Sequence, residues 1–379
     1  MTSLYIHIPF CLSKCHYCAF DSCVASEDIY RQYTAALTSE LAHLVKKTTE
    51  LNSNTVLSTL FIGGGTPTCL PRELLQGIIQ YVFDVFKVAP GAEISVEANP
   101  GTVDVQYLQM LLETGVNRLS LGVQSFNNRE LERIGRIHDE QGACSAIEAA
   151  RTAGFENINL DLMYGLPGQT PLSWRNSLGK GLSFLPEHLS LYQLTIEADT
   201  LFSSLYDSNT LCHPSEEEIF QMDEITKELC TSAGLHQYEI SNYAVAGKEC
   251  RHNINYWLNN DYLAAGTSAV SCLNGGRERR IADPLEYIRR IHKKKSVIIE
   301  KECLSHEASF RESVIMGLRM VQGVSRKALF ERYSLDPKEY YGSTLNKLIE
   351  DGFMELTESH LRMTEKGCPL SNRIMSELV

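Results

Sequence analysis

The sequence predicts an α/β protein, an incomplete (β/α)6 barrel followed by a mostly helical, winged-helix-like module. Short apolar runs of strand length alternate with segments whose apolar residues recur every three or four positions. This alternation indicates parallel strands joined by crossover helices. About six such units precede residue 240, fewer than the eight of a complete barrel, so we expect an open, splayed barrel.

The elements of the predicted barrel follow one another in residues 1–240. Residues 28–47 have helical apolar spacing, and the segment PRELLQGIIQYVFDVF opens with Pro71 near a predicted helix start. Two more predicted helices end on Gly115 and Gly154, as helix C-termini commonly do. The six predicted strands are SLYIHI, STLFIG, EISVEA, RLSLGV, NINLDLMYG and HLSLYQL.

The pattern changes after residue 240. Residues 241–282 are rich in Asn, Gly and aromatic residues without clean periodicity, which predicts an irregular connecting region that can form a lid over the barrel mouth. Residues 283–379 are predicted to be mainly helical, with a hairpin in GFMELTESHLRMTEKG, so a winged-helix-like module is expected. Residues 300–379 hold 11 Lys and Arg against 13 Asp and Glu, which disfavours a DNA-binding regulator.

Composition narrows the class of protein. The 379 residues carry a net charge of -12, which argues against a nucleic-acid partner. No signal-peptide pattern precedes the first strand, and no run of about 18 apolar residues occurs, so a reducing cytoplasm is the expected compartment. Residues 277–295 are an exception, with eight basic and three acidic side chains. This stretch favours a solvated helix face over an anion site or peripheral membrane contact.

Three cysteines in HIPFCLSKCHYCAF have the spacing C-x3-C-x2-C. Structural zinc needs four ligands, and no second pair follows at a matching distance from Cys11, Cys15 and Cys18. Disulfides fit no better, because the set is odd and cysteine is dilute in the chain. An iron–sulfur cluster is the remaining interpretation, with three irons held by these thiolates and the fourth iron without a protein ligand. Cys23 is an alternative fourth ligand, although the two residues before it are typical of a turn leading away.

Polar and glycine residues follow several of the predicted strands, where parallel barrels bind their ligands. The run GGGTPT allows close approach of backbone to a ligand. Glu97 is placed to accept hydrogen bonds from two vicinal hydroxyls, as acidic residues do for a ribose. Each residue alone is typical of an ordinary strand end, whereas their joint placement predicts a site. The candidates are Gly65, Thr66, Glu97, Gln124, Arg136 and Asp161.

These motifs, in this order, resemble those of radical S-adenosylmethionine (SAM) proteins. Within that group the chain is similar to the oxygen-independent coproporphyrinogen III dehydrogenases and their relatives, the HemW-type haem chaperones, from Tyr5 to about Cys272. The resemblance implies a [4Fe-4S] cluster on Cys11, Cys15 and Cys18, with SAM on the open iron. It also implies that SAM sites are lined by Tyr5, Gly65, Thr66, Glu97, Gln124, Arg136 and Asp161. The last three of these residues lie where the dehydrogenases hold a second SAM.

Two features separate the chaperones from the dehydrogenases they resemble. The dehydrogenases carry another Cys at the place of Phe20 and a longer segment before the cluster loop. The chaperones carry an H-N-x-x-Y-W signature, which the segment RHNINYW supplies. The resemblance therefore implies a chaperone that binds haem and passes it to an acceptor protein, with coproporphyrinogen dehydrogenation as the alternative. His252 is the candidate haem ligand, and Cys250 is a second, weaker candidate for a haem contact.

Overall fold

The computed structural model describes residues 2–50, 55–208 and 212–379. Two short 3-10 helices, Pro67–Cys69 and Cys368–Leu370, accompany the regular elements. The strands are β1 Thr2–Ile8, β2 Val56–Gly64, β3 Lys87–Ala98, β4 Arg118–Gln124, β5 Ile158–Tyr164, β6 His188–Gln193, β7 His236–Gln237, β8 Asn242–Ala244, β9 Tyr262–Ala265, β10 Val270–Leu273, β11 Gly276–Arg280, β12 Ile298–Cys303, β13 Val324–Ser325, β14 Met354–Leu356 and β15 His360–Met363. The helices are α1 Glu27–Glu50, α2 Arg72–Val85, α3 Val105–Glu113, α4 Asn128–Arg133, α5 Glu140–Ala153, α6 Pro171–Ser183, α7 Leu201–Asp207, α8 Glu216–Ser232, α9 Arg251–Trp257, α10 Pro284–His292, α11 His306–Gly317, α12 Arg326–Tyr333, α13 Pro337–Glu350 and α14 Ser371–Ser376.

The first six strands form the predicted barrel. They lie parallel and in sequence order, from β1 to β6, with helices in each connection. The sheet continues on both sides, in the order β12-β11-β10-β9-β1-β2-β3-β4-β5-β6-β8-β7. Among the described residues the sheet does not close on itself, because β12 and β7 have no pairing with each other. The prediction of an incomplete α/β barrel is therefore confirmed.

The two faces of the barrel strands differ in chemistry. On β1, Leu4 and Ile6 belong to the apolar core that the surrounding helices cover. The alternate residues Tyr5 and His7 hydrogen-bond to each other through the tyrosine hydroxyl and Nδ1, 3.0 Å apart. Because successive strand residues face opposite sides, the second set lines the inside of the barrel. The barrel interior is therefore polar, as a ligand site requires.

Residues 241–282 are more regular than the sequence predicted. They contain β8, α9 and the strands β9 to β11, which extend the barrel sheet beyond β1. Strands β10 and β11 form a hairpin around Asn274 and Gly275, which have φ of 51° and 75°. Positive φ at both central residues is what an Asn-Gly hairpin turn requires. The Asn-Gly pair is a sequence signal for this hairpin, which the prediction of an irregular region did not use.

The C-terminal module has a core of its own, which includes Phe310, Leu329 and Leu345. It consists of α11 to α14 and a small sheet of order β13-β15-β14, and β14 and β15 form the predicted hairpin. Helix α10 and strand β12, which the sequence analysis grouped with this module, instead pack on the barrel. The ring of Tyr287 on α10 lies 5.2 Å from that of Tyr33 on α1, and β12 pairs with β11.

The basic stretch 277–295 is largely paired within the protein. Arg280 is buried and donates to the carboxylate of Glu40, which also accepts from Tyr287 Oη at 2.6 Å. Arg277 Nη1 lies 2.5 Å from a carboxylate oxygen of Glu312. These pairs connect the sheet extension to α1 and to α11. In the described ranges, every helix is too short or too polar to cross a lipid bilayer.

Candidate functional site

The three-cysteine loop follows β1 and is tied together at its base. Cys23 N donates to the carbonyl of Pro9 at 2.8 Å, and Cys11 N donates to the carbonyl of Cys23 at 3.0 Å. Phe10 is fully buried, with its ring 4.7 Å from that of Tyr30. Residues 11–23 therefore project from a fixed base, and Cys23 itself belongs to that base.

Cys11, Cys15 and Cys18 line one cavity of about 640 Å³ at the C-terminal ends of the barrel strands, and Cys23 is absent from its lining. All three are free and partly exposed. Within 2–50, 55–208 and 212–379, no three His, Cys, Asp or Glu side chains converge on a single metal ion. Three separated thiols around one cavity fit the wider, thiolate-held iron–sulfur cluster.

The cavity brings together most of the predicted SAM residues. Its lining includes Gly65, Thr66, Glu97, Gln124, Arg136 and Asp161 beside the cysteines. A Cβ on Gly65 would lie 2.5 Å from the carbonyl oxygen of Phe10 and 2.9 Å from Cys11 Sγ, so only glycine fits there. Gln124 has φ of 67°, a costly backbone conformation that concentrates at functional sites.

Two carboxyls lie within the cavity wall. Glu97 accepts from the amide of Gly64 at 3.1 Å, and a Cβ on Gly63 would lie 2.7 Å from its Oε2. Burial, and then the nearby Asp161, raise the pKa of Glu97 to about 8. Burial also raises the pKa of Asp161, which accepts from Ser120 Oγ at 3.1 Å. The cavity without a ligand therefore favours the protonated form of Glu97 near neutral pH.

Arg136 connects the cavity wall to the cluster loop. Its Nη1 lies 3.5 Å from Cys15 Sγ, and its Nη2 donates to Asn99 and to the carbonyl of Gly122. Asn99 in turn donates to Thr66 Oγ1 at 2.7 Å. Arg136 therefore places a positive charge beside one of the three cysteine sulfurs.

Tyr5 and His252 lie outside this cavity lining. Tyr5 borders a separate cleft with His7. His252, on α9, is 1% exposed, and both ring nitrogens have partners: Nδ1 lies 2.7 Å from Thr59 Oγ1, and Nε2 lies 3.0 Å from Tyr256 Oη. Burial lowers the pKa of His252 to about 3. The haem role of His252 stays a prediction, and this geometry gives iron no free nitrogen.

The start of α9 is held by Glu93 on β3. Glu93 accepts from the backbone amides of Arg251 and His252 at 2.9 and 3.1 Å, and Cys250 Sγ lies 3.5 Å from it. Cys250 is fully buried, and burial raises its pKa to about 12. Since Glu93 pairs with Thr59 several residues before the strand ends, α9 packs inside the barrel. The expectation of a lid over the mouth was wrong.

Sequence reasoning missed other residues of the cavity lining. Asn99 lies two residues after Glu97, directly after β3, and Tyr192 and Gln193 end β6. Their position at strand ends was the same signal that identified Glu97. Tyr17, between two of the cysteines, also lines the cavity.

Comparisons with known proteins define the class first. Residues 5–178 match the model of the Radical SAM superfamily, and residues 304–370 match the model of the HemN C-terminal domain. The structure of coproporphyrinogen III oxidase (HemN) from Escherichia coli, described as a radical SAM enzyme, is 25% identical and has a TM-score of 0.86 over 100% of this chain and 89% of that one. The fold is thus the radical SAM fold with a HemN-like C-terminal region.

Two relatives that match at least two thirds of the chain define the family. The protein named Heme chaperone HemW of Bacillus subtilis (strain 168) is 38% identical over 99% of this chain and 98% of its own length. The protein of the same name from Escherichia coli (strain K12) is 40% identical over 70% of this chain and 69% of its own length. The chain belongs to the Heme chaperone HemW family.

Proposed function

We propose that the protein is a haem chaperone that binds a [4Fe-4S] cluster, SAM and haem, and passes haem to an acceptor protein. Similarity along almost the whole chain to proteins named Heme chaperone HemW is the observation that carries this proposal. The acceptor, a protein able to take up haem, is the partner that such a function requires. The predicted cytoplasmic location belongs to the same proposal, because a reducing compartment keeps the cluster thiols available.

The cluster and SAM would occupy the cavity of the three cysteines. Cys11, Cys15 and Cys18 would hold three irons, and the fourth iron would supply a binding point for SAM and an electron. Glu97 would accept hydrogen bonds from the SAM ribose, and its ionised form would favour the sulfonium cation. Gln124 at the end of β4, Arg136 in the loop after α4 and Asp161 on β5 would hold a second SAM, as the resemblance to the dehydrogenases implies.

The alternative is oxygen-independent coproporphyrinogen III dehydrogenation, in which propionate side chains undergo radical oxidative decarboxylation. The structural likeness to coproporphyrinogen III oxidase favours it. Phe20 counts against it, since the dehydrogenases that the sequence resembles carry another Cys there. Phe20 borders the cavity, so this difference falls where the chemistry would take place.

One sample of anaerobically reconstituted protein distinguishes the two functions. A haem titration should saturate at about one haem per chain, and the loaded protein should pass haem to an apo-haemoprotein. Coproporphyrinogen III with SAM and a reductant should remain unconverted. Sustained formation of protoporphyrinogen would contradict the chaperone proposal and support the alternative.

A further inference from the structure

A second cleft, of about 500 Å³, lies beside the cluster cavity. It is bordered by β1, the end of α9, the strands β9 to β11, and Met316 of α11 in the C-terminal module. Ala19 and Phe20 of the cluster loop line both this cleft and the cluster cavity. The two spaces are therefore neighbours across one short segment of the loop. The volume falls within the range of small-molecule and cofactor sites.

Five aromatic side chains line the wall of the cleft: Tyr5, Phe20, Tyr256, Trp257 and Tyr262. Several of these rings are fixed by their neighbours. Tyr256 and Tyr262 lie with centroids 4.6 Å apart at 85°, and the guanidinium of Arg319 lies 4.4 Å from the centroid of Trp257. Rings held in this way offer flat faces to a large aromatic ligand without further ordering cost.

His252 belongs to this arrangement without lining the cleft. Its Nε2 lies 3.0 Å from the hydroxyl of Tyr256, and the two rings meet edge to face at 4.9 Å. Behind it, the ring stacks on Phe61 at 5.1 Å. A histidine in this position orients the tyrosine that forms the wall, so it acts as a positioning residue.

The polar groups of the cleft suit an anionic, iron-containing ligand. Arg277 provides a cation, paired with Glu312 outside the lining, while Asp21 is the acidic side chain of the wall and accepts from Ser268 Oγ at 2.5 Å. Met316 supplies a thioether, which binds haem iron in proteins, whereas both ring nitrogens of His7 have hydrogen-bond partners, as those of His252 do. His7 Nε2 now lies 3.1 Å from the carbonyl of Asp21, in the cluster loop.

We propose that this cleft is the haem site, in which the porphyrin stacks between Phe20 and Trp257 and a carboxylate of the ligand pairs with Arg277. The inference rests on the proposed haem chaperone function and states where in the protein haem binds. Haem in the cleft lies against the cluster loop without entering the cavity of the cysteines. Phe20 is 69% exposed, so one face of the ligand stays accessible to an acceptor.

The test is a haem titration, followed by absorption, of anaerobically reconstituted protein. Phe20→Ala removes one wall of the cleft, and Val24→Ala is its matched control, because Val24 is in the same loop, 64% exposed and outside both linings. Val270→Trp fills the cleft from β10 without touching the cluster cavity. We expect haem affinity to fall about tenfold in Phe20→Ala, to fall further in Val270→Trp, and to stay unchanged in Val24→Ala.

Iron content and circular dichroism of each variant show whether cluster and fold are retained. If Val270→Trp does not fold, Phe20→Ala with a full cluster decides the question. Unchanged haem affinity in the folded variants would overturn the cleft as the haem site and leave the chaperone function standing. If the wild-type protein binds no haem, the proposed function itself fails.

Discussion

Replacing Glu97 by glutamine should make the ligand-free protein more stable and its SAM binding weaker. Glutamine keeps the shape of the side chain and an oxygen that accepts from the amide of Gly64, but it has no acid to ionise. The pKa of Glu97 is raised from an ordinary 4.5 to about 8, chiefly by burial. The folded protein therefore disfavours ionisation of this carboxyl, and this lowers the free energy of unfolding of the wild type. The glutamine variant has no such loss.

The size and sign of the effect follow from the two pKa values. Below pH 4.5 the carboxyl is protonated in the folded and the unfolded chain, so the variant and the wild type should be equally stable. Between pH 4.5 and 8 the unfolded chain ionises and the folded one does not, so the wild type loses stability relative to the variant. At pH 7 this amounts to about 3 kcal/mol, which we reduce to about 2 kcal/mol because the side chain faces an open cavity.

Urea unfolding of cluster-free, SAM-free protein at pH 4.5, 6 and 8 measures the stability difference, and calorimetry of the reconstituted protein measures SAM affinity. We expect the variant's advantage in free energy of unfolding to grow with pH and its SAM affinity to fall by about 1.5 to 3 kcal/mol, the scale of a lost charged hydrogen bond. A stability difference independent of pH would refute the electrostatic reasoning. Unchanged SAM affinity would make Glu97 a structural residue only.

Two further predictions concern the cluster. Cys15→Ser should remove most of the thiolate-to-iron charge-transfer absorption after anaerobic reconstitution while leaving circular dichroism unchanged, because serine oxygen is a poor substitute for thiolate; full iron loading of a triple variant of Cys11, Cys15 and Cys18 would contradict this. Arg136→Gln should lower the reduction potential of the cluster, because the guanidinium that lies 3.5 Å from Cys15 Sγ is lost. The expected shift is about 40 mV, the one-electron equivalent of about 1 kcal/mol. A potentiometric titration with no shift would show that this contact does not persist in the loaded protein.

The parts of the structure that could be predicted from the sequence are those that depend on residues close together in the sequence. Six strands and the cysteine loop could be predicted because apolar alternation and ligand spacing are local. Glu97, Gln124 and Asp161 followed because parallel strands bring their ends together whatever the packing of the helices.

The missed features depend on contacts between distant parts of the chain. Strand β9 joins the barrel strands through its pairing with β1, which is far away in sequence. His252 was a candidate haem ligand in the sequence, since no neighbouring residue indicates that Thr59 is its hydrogen-bond partner. Tyr5 lies in a predicted strand, yet its side chain belongs to the cleft because β9 to β11 continue the sheet on that side.

The hydrogen bonds at the base of the cluster loop have a consequence for how the protein matures. Cys23 pairs with Pro9, and Cys11 with Cys23, through backbone atoms alone. These bonds involve no iron, so we expect the base of the loop to form before the cluster is inserted. We also expect a cluster that oxygen has destroyed to be replaced without unfolding of the chain.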